Sequence, residues 1–198
     1  MTIDPPTDSA SGGRGPASPT ASCPPAVEPA PDPLLAHPSV AAVRTALADA
    51  GAQGAVRVLD GHARTAAQAA QFLGIEIAQI ANSLVFAVPA GEGAPGEGEA
   101  VPLLVMTSGA HRVDTARLAA TLGVGRLDRA DADFVRHHTG FAIGGSLPSD
   151  TRDPAHAHRR RPRPHSVIWA AAGHPRTVFP TTFDELVRIT GGEVVEVA

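Results

Sequence analysis

The stretch TGFAIGGSLPSD, Thr139 to Asp150, holds the residues of this chain best suited to chemistry. An apolar run stops on Gly144 and Gly145, and Pro148 follows shortly after. Two consecutive backbone N–H groups without a Cβ beside them can approach a ligand carbonyl or a developing oxyanion closely. Pro148 would stiffen the return of such a loop. The chemistry suggested is polarisation of an acyl carbon by main-chain donors, with no side-chain nucleophile. The five residues GGSLP, Gly144 to Pro148, also make an ordinary tight turn, and from them alone that is the commoner reading.

Other chemistry is hard to find. No G-x-x-x-x-G-K-[ST], G-x-S-x-G or H-E-x-x-H pattern occurs. His137 and His138 are neighbours and would point in different directions on a helix, which makes them poor chelators. Each of the nine histidines reads first as a surface residue. The carboxylates of DRADAD suit the first turn of a helix, where acids are favoured anyway.

A core must position the loop, and the chain has one. Its 198 residues, 43% hydrophobic, suffice for a single domain. A net charge of -4 rules out a general basic footprint, so any nucleic-acid contact must be local. The single cysteine, Cys23, excludes an intrachain disulfide framework and a cysteine-based zinc site. With no signal-peptide core and no spanning apolar stretch, a cytoplasmic protein is expected, without membrane or metal. Residues 1–33 are rich in Pro, Ser, Gly and Ala and read as a disordered tail. The folded domain is expected over 34–198.

Within it, HPSVAAVRTALADAG places Val40, Val43 and Leu47 on one helical face. Thr65 and Gln68 stand at capping-box spacing, and Gly74 marks a helix end. Residues 82–88 and 102–108 read as apolar strands joined by the low-complexity PAGEGAPGEGEA. VDTARLAATLG and DADFVRHHTG read as helices, and FAIGG as a strand into the glycine loop. HSVIWAAAG, TVF and EVVEV read as further strands. A second capping box, Thr182 and Glu185, opens a helix over FDELVRITGG. Strands and helices mix without strict alternation, which predicts an α/β (α+β) domain. Its sheet is expected to be mixed and partly barrel-like, with helices around it.

Together, HPSVAAVRTAL, RTAAQAAQFLG, IAQIANSLVF, LLVMTSGAHRVDTARLAATLG, RADADFVRHHTGFAIGG, WAAAGHPRTVF and FDELVRITGGEVVEV resemble the YbaK-type aminoacyl-tRNA deacylases. These are free-standing relatives of the editing insertion of bacterial prolyl-tRNA synthetases. The resemblance implies a hydrolase that cleaves the ester of a mischarged tRNA, mostly tRNA(Pro), with no cofactor. The partners implied are aminoacyl-tRNA, bound transiently, and a tRNA synthetase. The catalytic positions implied are Gly144, Gly145 and Asn82. The substrate-binding positions expected are Thr65, Ser83, Phe86, Ser108, Pro148 and Gly173. The alternative is a catalytically impaired module of the same fold that binds an aminoacyl-like ligand or a tRNA 3′ end.

Two departures from the family pattern stand out. Asn82 occupies the place of a common lysine; it keeps a hydrogen-bond donor but loses the charge. After the glycines, SLPSDTRDPAHAHRRRPRP replaces a Val-Ala-Pro-Val-Gly-His continuation and an apolar strand. Read one base earlier, codons for Ser-Leu-Pro-Ser-Asp-Thr can spell Val-Ala-Pro-Val-Gly-His. Residues 146–164 are therefore expected to reflect shifted reading frames, which resequencing of the gene tests. As it stands, the segment is expected to be an exposed loop, leaving the sheet short of a strand. Its arginines, Arg152 to Arg163, suit RNA phosphates or simply a solvated basic run.

Overall fold

The computed structural model describes residues 32–90, 99–140, 155–159 and 165–197. The expected tail before residue 32, most of the low-complexity connection, FAIGG, and the loop carrying Gly144, Gly145 and Pro148 lie outside these residues. Pro31–Ala198 form one unit. Five α-helices are described: α1 (Pro38–Asp49), α2 (Ala66–Leu73), α3 (Thr115–Leu122), α4 (Ala132–Thr139) and α5 (Phe183–Thr190).

Short polar side chains start most of them. Thr65 accepts from the Gln68 N–H, Asp114 from Arg117, Asp131 from Phe134 and Thr182 from Glu185. The two expected capping boxes are half made. The Gln68 amide oxygen takes the Arg64 N–H at 2.8 Å, one residue ahead of the cap. The Glu185 carboxylate accepts from Gln53 N at 3.0 Å and from Thr181 Oγ1 at 2.7 Å. Gly74 ends α2 in the left-handed conformation, φ 65°.

Eight strands make one mixed sheet: β1 (Arg57–Val58), β2 (Ile80–Val88), β3 (Val101–Ser108), β4 (Asp128–Arg129), β5 (Ala155–Arg159), β6 (Ile168–Ala171), β7 (Thr177–Thr181) and β8 (Glu193–Val195). The order is β1-β7-β6-β2-β3-β5-β8, with β4 beside β2, and the path does not close among the described residues. The mixed sheet among helices is as expected from the strand pattern.

The sheet is not short of the strand that the sequence put in doubt. Ala155–Arg159, inside the span expected to be a loop, runs parallel to both β3 and β8. The physical reason is local: the ladder segment AHAHR contains no proline, so every residue keeps its donor.

Period-2 alternation fills both faces of the sheet. On β3, Leu104 and Met106 pack with Val43, Leu47, Phe179 and Leu186. Leu103 and Val105 pack on the other side with Leu118, Ala119 and Val197. A third cluster joins α2 to the sheet through Ala69, Ala70, Ile80, Trp169 and Val178. Thus α1 and α5 cover one face, while α2 and α3 cover the other.

Candidate functional site

A pocket of about 90 Å³ opens where two strands part. β2 and β6 run parallel but pair only at Ile80–Trp169 and Ala81–Ala170. Further along, the same edge of β2 pairs with β4 at Phe86 and Ala87. Among the described residues no strand pairs with Asn82–Val85 on that edge. The parting falls at the carboxyl end of β6 but in the first half of β2, so it is a split within the sheet rather than a crevice at its edge.

The walls come from four segments. The start of α2 gives Arg64, Thr65, Ala66 and Ala69, and β2 gives Ile80 to Ser83. β6 gives Trp169 to Ala171, and the β6–β7 turn with β7 gives His174, Pro175, Thr177 and Val178. Successive strand residues face opposite ways, yet Asn82 and Ser83 both line the pocket because the sheet itself is split there. Alanine is the commonest wall residue, so small side chains make the space.

Of the expected site residues, the structure brings Thr65, Asn82 and Ser83 together. The Ser83 hydroxyl is buried with no hydrogen-bond partner among the described residues. A buried orphan of this kind costs about 1–3 kcal/mol, and a bound ligand would relieve it. The Thr65 oxygen already caps α2 at 3.2 Å from Gln68 N but keeps its own proton to donate.

Phe86 lies elsewhere. It pairs with Leu103 and Arg129 and packs into the core on the α3 side. Ser108 does not line the pocket: its hydroxyl donates to Ala78 O at 2.9 Å and accepts from Ala110 N at 3.3 Å. Gly173 stands beside the wall rather than in it. Its φ is 88°, and a Cβ there would sit 2.5 Å from Ser39 O, so this turn presses against the start of α1. Gly144, Gly145 and Pro148 are outside the described residues.

The sequence reading missed His174, Trp169 and Arg64. His174 corrects the expectation that every histidine is a surface residue: it is half-buried and lines the pocket. The clue was available, since Gly173-His174-Pro175 breaks an apolar strand, but only pairing brings that turn to the wall of β2. Arg176 N donates to His174 Nδ1 at 3.1 Å, so the neutral ring carries its proton on Nε2. Burial, then His37, His62 and the Arg176 guanidinium, push its pKa below 6.5. Neutral and protonated on Nε2, it is a hydrogen-bond donor rather than a base.

The turn is fastened firmly. Thr177 Oγ1 donates to Ala172 O at 2.8 Å, and Ala63 N donates to Pro175 O at 2.8 Å. Both Nε and Nη2 of Arg176 donate to Leu59 O at 3.1 Å. Outside the pocket, the Arg57 guanidinium lies 5.2 Å from the centre of the Trp169 ring. Among the described residues no group of three or more acidic, His or Cys side chains could hold a metal ion, and no helix is long and apolar enough to cross a membrane.

Known proteins share this architecture. A protein put forward as a trans-editing enzyme for prolyl tRNA synthetase is 34% identical, with a TM-score of 0.68 over 81% of this chain and 96% of its own. A scaffold redesigned by epitope backbone grafting is 31% identical, with the same TM-score and coverage. A hypothetical protein at 23% identity, with a TM-score of 0.66 over 78% of this chain and 97% of its own, shares the fold. No curated protein matches the chain. The aminoacyl-tRNA editing domain matches residues 60–152, a span that holds the start of α2, β2 and the positions Gly144, Gly145 and Pro148. With these relatives and that pocket, the chain belongs to the family of aminoacyl-tRNA editing domains.

Proposed function

We propose that this protein is a trans-editing deacylase, hydrolysing the ester that joins a wrong amino acid to tRNA(Pro). The observation that carries this is the alanine-walled pocket at the parting of β2 and β6, with Asn82 and the unpartnered Ser83 hydroxyl in its wall. Its volume suits a small aminoacyl group, and its polar atoms are donors suited to an ester.

In this reading water attacks the acyl carbon, and the carbonyl oxygen takes up the negative charge. Gly144 and Gly145, just past the end of α4, supply main-chain N–H groups to that oxyanion, and the Asn82 amide adds a third donor. Collapse expels the terminal ribose oxygen, which takes the proton lost by the water. The products are the free amino acid and uncharged tRNA. Because His174 donates rather than accepts, the attacking water is oriented by substrate groups such as the neighbouring ribose hydroxyl. A synthetase delivers the tRNA in trans.

The test is ester loss from tRNA(Pro) charged with Ala, Cys or Ser, and from tRNA(Ala) charged with Ser. Hydrolysis above the spontaneous rate, abolished in the Gly144→Val/Gly145→Val double variant, supports the reading. A second reading, a module that binds without turnover, is favoured by Asn82, which brings an amide where the family resemblance implies a lysine. Saturable binding of the charged tRNA with an unchanged ester half-life would establish that reading instead.

A further inference from the structure

We propose that Arg57 and Arg64 hold the phosphodiesters of the single-stranded RNA 3′ end whose terminal ribose enters the pocket. This rests on the deacylase reading for the ribose, but on separate residues for the phosphates.

The whole chain carries -4, yet two arginines stand at the pocket and beside its wall. Arg64 lines the pocket and is exposed. Arg57, exposed on β1, lies over the ring of Trp169, whose other contacts form the pocket wall. Neither forms an ion pair among the described residues. Arg117, Arg126, Arg136 and Arg188 are matched to Glu196, Asp128, Asp133 and Glu185, while Arg44, Arg112 and Arg129, also without an ion pair among the described residues, do not line the pocket. Between Arg57 and Arg64 the sequence offers one carboxylate, Asp60.

Guanidiniums without an ion pair need break no carboxylate contact to turn to a ligand. Their planar forks match phosphate oxygens bidentately. Trp169 fixes the direction of Arg57 through its ring face, which lowers the entropy lost on binding. Three imidazoles stand behind this rim: His37 and His62 lie 5.4 and 5.7 Å from His174, ring centre to ring centre.

The experiment follows fluorescence anisotropy of an uncharged acceptor-stem minihelix ending in CCA, labelled at its 5′ end, over a range of salt. The proteins are the full chain, Arg57→Gln, Arg64→Gln, their double variant, and Arg126→Gln as a surface control. Arg57→Gln and Arg64→Gln are each expected to weaken binding several-fold and to flatten the slope of log K against log salt by about 0.7 per lost contact. Arg126→Gln leaves the slope unchanged, and a blunt minihelix lacking CCA is insensitive to all four. A double variant with the parental slope overturns the proposal, as does equal loss on the blunt duplex or no binding by the parent. Absence of deacylation with this salt pattern intact defeats the deacylase reading alone.

Discussion

The proton on His174 can be followed through folding. Its pKa is lowered in the folded protein by burial first, then by His37, His62 and Arg176, from an ordinary 6.5. The unfolded chain therefore binds more protons in the window below 6.5, so stability is full above that pH and falls as acid is added. His174→Asn keeps an acceptor for the Arg176 N–H but cannot ionise. Its Tm is expected to decline less than that of the parent between about pH 7.5 and about pH 5. An identical decline would remove His174 as the source. Next to it, Gly173→Ala meets both a positive φ and the Ser39 carbonyl, so a loss of about 2 kcal/mol or more is expected in denaturant melts. Gly123→Ala, also at positive φ but facing open space, should cost about 1 kcal/mol.

Helix starts were legible element by element because a cap is a local event. Thr65, Thr182 and Gly74 needed only their neighbours to be recognised. What the second half of each box does was not legible, since Glu185 finds Gln53 and Thr181 across the fold rather than its own cap. Glu185→Ala is expected to cost about 1–3 kcal/mol, because it strands the Gln53 N–H and the Thr181 hydroxyl together. The strand β5 was illegible for another reason. Five residues with nothing larger than histidine or arginine carry no burial signal, and their pairing comes from β3 and β8 on either side. Ala157 sits between Val105 and Glu193 in that ladder, so Ala157→Pro should lower stability by about 3 kcal/mol. A neutral result would mean that this segment is not a strand. The two prolines that strands do contain obey the same rule: Pro102 precedes the stretch of β3 paired with β5, and Pro180 follows the stretch of β7 paired with β1.

Taken as a whole, the chain shows which parts of a site a sequence can disclose. Asn82, Ser83 and Thr65 lie on strands and caps that pattern alone identifies. Their meeting with His174 and Trp169 depends on β6 returning parallel to β2, a pairing between residues nearly half the chain apart. The family match ends at residue 152, within the segment that departs from the family pattern. The fold nevertheless continues through β6, β7, α5 and β8. One consequence concerns light. Trp169 is the chain's single tryptophan, and tyrosine is missing altogether. Emission excited near 295 nm therefore comes from one indole, set in the pocket wall beneath a guanidinium. Titration with a non-hydrolysable aminoacyl-adenosine should change its intensity or wavelength with a single saturating curve. Replacing Arg57 should shift the spectrum of the empty protein before anything is added. A spectrum indifferent to both would show that the indole and the ligand never meet.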